Sequence, residues 1–333
     1  MLKSSAKLIT TLLATALLSV GAQATVYNGT AYYTTYVGGG VYSVSYSYDN
    51  VTKNFTTGAQ TPIATLPGAD GIIFAPNGNL IVGGQGAAAY NVNPANGSFT
   101  SASTGGNASF HVTLAPNGQS VYTSPFNGPL VQIPLANFGT ANAPTITPIS
   151  GSENGITQLA FVNGSTFYVT GNPNGFGNVG SINLATGVTT RFAGGTAVQA
   201  AHGIVYDPYS GLINLFGAGQ VATINPLTNI VSASVGNANF PGDFDQGASD
   251  GLGHALVAGS NGLTFIDYEG TSILTPNFVK FVGGFNFIDD IAPLAGLGSQ
   301  PSDVPVPAAL PLFASGLGAL GFLTYRRRRK AIS

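Results

Sequence analysis

From residue 41 onward the chain is written in short apolar phrases separated by turn residues. Val41-Tyr42-Ser43-Val44-Ser45-Tyr46-Ser47-Tyr48 alternates side chains of opposite character with the two-residue period of a half-buried strand. Later phrases are shorter and more continuously apolar, as in Asp70-Gly71-Ile72-Ile73-Phe74, and most end at Asn-Gly or Asp-Gly. Nine Asn-Gly pairs supply the positive φ that tight hairpins need. The pattern predicts an all-β body with no helical period.

Two landmarks recur independently. A turn returns at Pro76-Asn77-Gly78, Pro116-Asn117-Gly118, Val162-Asn163-Gly164, Asp207-Pro208-Tyr209-Ser210-Gly211 and Ser249-Asp250-Gly251, its glycines 40, 46, 47 and 40 residues apart. A later strand returns around Val92, Ile133, Ile182, Ile224 and Ile266, in steps of 41, 49, 42 and 42. Both give a period of about 43, the length of a four-stranded propeller blade. The 276 residues from 25 to 300 hold six such units, with seven as the alternative count and an array of β-sandwiches as the alternative architecture. The first strands lack an inner partner of their own, and Phe285 to Pro293 supplies one, so the two ends are expected to share a blade and leave no open edge.

Composition sharpens this. Only 7% of residues are charged, while 47 glycines and 20 prolines accompany a hydrophobic share of 44%. Between residues 25 and 300 the basic residues are Lys53, Arg191 and Lys280 against eleven acidic ones, a surface that repels nucleic acid. Cysteine is absent, so burial and backbone pairing must hold the fold.

The two ends read as addresses. Lys3 and Lys7 precede an apolar run from Leu8 to Val20, and Ala22-Gln23-Ala24 offers the small-x-small site of signal peptidase. Residues 1–24 are therefore expected to be a signal helix, removed before Thr25. Residues 25–298 form the propeller and 299–307 a linker. Residues 308–325 carry no charge and would span about 27 Å as a transmembrane helix, and 326–333 are a basic cytoplasmic tail. The order Val304-Pro305-Val306-Pro307, apolar helix, then Arg326-Arg327-Arg328-Arg329-Lys330 resembles the PEP-CTERM sorting signal, with Val306 where that motif has Glu. The resemblance covers the last 30 or so residues. It implies processing by an exosortase-like protease and delivery to the cell envelope or its exopolysaccharide.

Asp70-Gly71-Ile72-Ile73-Phe74-Ala75-Pro76-Asn77-Gly78 is similar to repeats of the YVTN and NHL propellers and of the gluconolactonase-like ones. Aligning the repeats puts Asp70, His202 and Asp243 at one position before the inner strand, with Asn154 there after a gap, His111 one place later, and Asp289 or Asp290 completing the ring. Such a ring suits a divalent cation such as calcium. The likeness to gluconolactonase-like propellers implies that a channel metal there would polarise a lactone. The alternative is that these residues cap turns and hold channel water.

His254 lies apart, as a surface or packed residue. Asp243-Phe244-Asp245 with Asp250 matches a calcium loop only loosely, and Gly247-Ala248-Ser249-Asp250-Gly251 fits the nucleophile-elbow pattern without a following helix, so a structural turn is expected. Two functions follow as expectations. One is an exported, non-catalytic propeller that binds a polysaccharide or envelope protein through Tyr32, Tyr33, Tyr36, Tyr42, Tyr46 and Tyr48. The other is a metal-dependent lactonase- or lyase-like enzyme, for which the scarcity of Lys, Arg and Glu leaves few acid-base groups.

Overall fold

The computed structural model describes residues 26–292 apart from 87, 107, 126–127, 140–146, 172–176, 194–197, 199–200, 238, 241–243 and 286. The expected signal helix, linker, membrane span and basic tail lie outside these residues. Among the described residues no helix is long and apolar enough to cross a membrane.

Six antiparallel sheets of at least four strands follow one another along the chain. Their innermost strands are Ala69–Phe74 in blade II, Val112–Leu114 in III, Ile156–Val162 in IV, Ala201–Asp207 in V and Gly247–Ser249 in VI. Blade I is built from both ends: Val26–Thr35, Gly40–Asp49 and Asn54–Thr65 pair in order, and Ile288–Ile291 adds the inner strand. Each inner strand touches the next, and the last returns to the first, so the sheets close into a six-bladed propeller. In blade I, Tyr33 faces Ile291 and Thr35 faces Ile288. The alternation read in Val41 to Tyr48 is the middle strand of that blade.

The core is divided among the seams. Each of six apolar clusters lies between two neighbouring blades: Val41, Leu66, Ile72 and Leu80 join I to II; Ile73, Ile81, Val112 and Val121 join II to III; Tyr122, Leu130, Phe161 and Tyr168 join III to IV; Val169, Ile204 and Leu215 join IV to V; Phe216, Phe244, Val257 and Tyr268 join V to VI. This explains the continuous apolar runs of the sequence, because an inner or middle strand is covered on both faces by adjoining blades.

The seam from VI to I carries the join between first and last blades and is the most aromatic. Phe55 stacks on Phe265 at 4.4 Å between ring centres, and Tyr27 meets His254 edge-on at 4.4 Å. Within it Tyr48 donates to Asp267 at 2.5 Å and Lys53 pairs with the same carboxylate at 2.8 Å. With Tyr48 at 0% and Asp267 at 1% exposure, that hydrogen bond is shielded from water.

Near the axis the strands converge so closely that glycine is required. A methyl group on Gly71 would lie 2.4 Å from the Cα of His111, and one on Gly203 would lie 2.7 Å from the carbonyl oxygen of Asp245. Gly203→Ala is expected to cost about 1–3 kcal/mol through overpacking, whereas Gly86→Ala, with nothing within 4 Å of its added carbon, should stay within about 0.5 kcal/mol; denaturant unfolding of the two variants makes the comparison. Tyr48→Phe leaves one oxygen of buried Asp267 without its hydroxyl donor, and a loss of about 1–3 kcal/mol is expected, read from the same unfolding curves.

Candidate metal centre

One irregularity, repeated from blade to blade, builds the site. The pairing of inner with second strand slips between Ala69 and Ile72 in blade II, between Ile156 and Gln158 in IV and between Ala201 and Gly203 in V. In blade I it slips between Tyr33 and Thr35, opposite Asp289 and Asp290. In blade VI both Asp245 N–H and Gln246 C=O bond to Ala258, so two residues oppose one. A bulge of this kind bends its strand and re-aims the extra side chain. The displaced residues are Asp70, Thr157, His202, Asp289 with Asp290, and Asp245; His111 enters from the chain just before the inner strand of blade III.

These side chains meet at the axis. His111 Nδ1 lies 2.6 Å from Asp290 Oδ2, and its Nε2 lies 3.8 Å from Asp245 Oδ1. The same Asp245 oxygen is 3.4 Å from His202 Nδ1, and the two imidazole centres are 5.8 Å apart. Asp70 accepts from the Gly71 N–H at 3.0 Å and from Gln85 Nε2 at 3.2 Å. Asp290 N–H donates to Thr34 Oγ1 at 3.2 Å, and Thr123 Oγ1 donates to the His111 carbonyl at 2.6 Å. Blade IV contributes only Thr157, whose hydroxyl bonds the His202 carbonyl at 3.0 Å.

Most of this assembly is dry. Asp70, His111 and Asp290 are 3%, 2% and 0% exposed, while His202 and Asp245 reach 17% and 18% and form the open side. Along the inner strands of all six blades lies a cavity of about 30 Å³, beside Ile73, Thr113, Gln158, Val205, Ala248 and Ile291.

No Lys or Arg of the body reaches these carboxylates. Lys53 is on Asp267, Arg191 is on Glu153, and Lys280 is exposed on the outer strand Phe278–Gly283. The groups therefore perturb one another. Burial drives the Asp70 carboxyl up to about 7, with Asp290 and Asp245 adding to the rise and His111 opposing it. Burial also raises Asp290 and lifts Asp289 well above the usual carboxylate range. For His111, burial favours the neutral ring, but the bond to Asp290 and the charges of Asp245 and Asp70 outweigh it and push the group up to about 10. His202 is raised against burial by Asp245, and Asp245 is drawn down to about 2 against burial by His202 and His111.

Two sets of three can each place one ligand atom per residue within 4.8 Å of the others: His111, His202 and Asp245, and Asp70, His111 and Asp290. Donors around a small divalent cation sit about 2.0–2.2 Å from it, so the first set needs only a modest inward closure. The Asp290–His111 bond fixes the ring and leaves Nε2 toward Asp245, the orientation that a carboxylate gives a metal-binding histidine. Two nitrogens with one carboxylate suit zinc, manganese or iron better than calcium, which prefers oxygen alone. The calcium expected from the sequence rested on a more acidic set.

Of the residues aligned from the repeats, Asp70 and His202 both border His111 but fall in different sets. Asp243 lies outside the described residues, and Asp245, two places on, stands at the axis. Asn154 is exposed in the turn before its strand, and bulged Thr157 occupies the equivalent place. His111, shifted by one in the alignment, is the residue both sets share. The recurring signal is a polar residue directly before a glycine, as in Asp70-Gly71 and His202-Gly203, where the glycine admits the next blade.

The remaining motifs have structural roles. Asp250 accepts from the backbone of Leu252 and His254 and bonds His254 Nδ1 at 2.6 Å, so it shares no loop ligands with Asp245. His254 is packed in the seam between VI and I. Ser249 donates to Asp207 at 2.8 Å and meets Tyr268 Oη at 3.2 Å; its strand ends in a turn and no helix follows. Of the tyrosines expected to offer a stacking surface, Tyr33 and Tyr48 are buried, whereas Tyr32, Tyr36, Tyr42 and Tyr46 are half-buried. In blade I these rings fill seams because the strands on either side are covered.

No family model and no curated protein matches the chain. Among solved structures a streptogramin B lyase is similar, with a TM-score of 0.52 at 14% identity over 82% of this chain and 93% of the lyase. A chain of the Mitotic Checkpoint Complex gives 0.52 at 11% identity over 82% and 87%. A gluconolactonase from Xanthomonas campestris gives 0.51 at 9% identity over 67% and 78%. At such identities the likeness is one of fold, and proteins of such different roles share it.

Asp70 yields a prediction for metal-free protein. An unfolded Asp ionises near about 3.9, whereas the folded group holds its proton to about 7, so ionisation of Asp70 progressively disfavours the fold as pH rises between those values. In chelator, Asp70→Asn should gain melting temperature relative to wild type between pH 4 and pH 8; a difference independent of pH would show that Asp70 ionises normally.

Proposed function

We propose that this chain is an exported propeller that holds a divalent cation on His111, His202 and Asp245 near its axis and, through that cation, binds a small oxygen-rich ligand. The observation that carries the reading is the buried gathering of four carboxylates and two imidazoles, drawn from five blades, with no Lys or Arg to balance it. In metal-free protein, protons on Asp70 and His111 offset the cost of burying these carboxylates, and a divalent cation can take their place. His202 and Asp245 lie on the open side, so a metal held there would complete its coordination with ligand oxygens, such as the hydroxyls or carboxylate of a sugar acid from an exopolysaccharide.

Export rests on residues 1–24, with cleavage after Ala24 by signal peptidase, and on the tail from Val304 to Lys330. In this reading the tail first anchors the chain in the membrane, and an exosortase-like protease then passes it to the envelope or matrix. A second reading, a metal-dependent lactonase- or lyase-like enzyme, is favoured by one group: Asp70, whose near-neutral carboxyl beside the metal set could give or accept a proton at ordinary pH.

Elemental analysis of the chain recovered from the cell envelope, followed by calorimetric titration of the chelator-stripped protein with Zn²⁺, tests the site. A tightly held divalent metal is expected, with zinc affinity falling at least tenfold in His202→Ala and Asp245→Asn. Metal-free protein that takes up no zinc, or variants that bind as wild type does, would overturn the proposal. A mature N-terminus other than Thr25 would overturn the expected cleavage.

A further inference from the structure

We infer that the axis holds not one divalent cation but two, with the His111 ring bridging them: Nε2 faces the first beside His202 and Asp245, and Nδ1 faces the second beside Asp70 and Asp290. This rests on the site proposed above and extends it. The second set is as compact as the first, each residue offering an atom within 4.8 Å of the others, and it is more deeply buried. His111 alone belongs to both, and its two nitrogens point to different carboxylates, Asp290 at 2.6 Å and Asp245 at 3.8 Å.

An independent observation points to an occupant. Asp290 is 0% exposed, and while its Oδ2 meets His111, its Oδ1 has no hydrogen-bond partner among the described residues. A buried carboxylate oxygen without a donor is a ligand position. Charge makes the same point. Asp70, Asp245, Asp289 and Asp290 can carry four negative charges, of which one divalent cation balances two. To hold both cations, the His111 ring releases both of its N–H protons to solvent, so that each nitrogen presents a lone pair to one metal and the ring's negative charge is shared between them. Borderline metals that accept nitrogen donors, zinc among them, meet this requirement.

The full-length chain, stripped with chelator, incubated with Zn²⁺ and freed of excess by gel filtration, is weighed by native mass spectrometry. Two zinc ions per chain are expected for wild type, one for Asp70→Asn, one for His202→Ala and none for His111→Ala. A single zinc in wild type that persists in Asp70→Asn would overturn the second site and leave the first standing. No zinc at all would overturn both. Two zinc ions retained in Asp70→Asn would also refute the placement. The wild-type count is informative even if a variant fails to fold.

Discussion

Closure of the ring is the interaction on which everything else depends. Ile288–Ile291 must leave blade VI, cross to the beginning of the chain and pair with Val26–Thr35. Without that pairing blade I has three strands, the aromatic seam to blade VI has no partner, and there is no axis for the polar residues to share. The same four-residue strand carries Asp289 and Asp290, and Asp290 grips His111 from across the axis. Fold and site are therefore made by one segment. Thr34, which bonds the backbone of Asp290 beside the bulge, locks the register of that segment as well.

Convergence on an axis imposes two opposite demands. The inner strands must approach one another closely, which favours glycine and small residues, yet side chains must also project into the space where they meet. The bulges reconcile these demands by displacing one residue from the ladder while the following glycine lets the neighbouring backbone come near. The outcome is a cluster whose members perturb each other: near-neutral Asp70, strongly acidic Asp245 and a His111 that keeps its proton far into the alkaline range. Elsewhere Lys53 pairs with Asp267 and Arg191 with Glu153. The axis has no such partner of its own.

Much of the fold was legible because its signals are periodic. The turn glycines and the later-strand landmarks measure the blade length, and the unpaired opening hairpin together with the apolar segment near Ile288 announces closure. The site was only partly legible. Asp70 and His202 stand before glycines in a repeating frame, whereas Asp245 departs from that frame because the bulge of blade VI falls at a different offset, and alignment by repeat length therefore selected Asp243. His111 sits ahead of a strand of three residues, too short to fix its own phase. The tyrosines of blade I alternate as exposed edge residues would, but the blade is flanked on both sides, and no local pattern reveals what covers a strand. The buried charge balance was invisible for the same reason, since it depends on which residues fail to reach the axis.

The assignment of its polar residues to five different blades has a temporal consequence. No contiguous piece of the chain contains the set, and the final two carboxylates arrive only with residues 289 and 290. A chain emerging in N-to-C order can form the seams between early blades in sequence, but it cannot complete this polar cluster until its last strand has circled back.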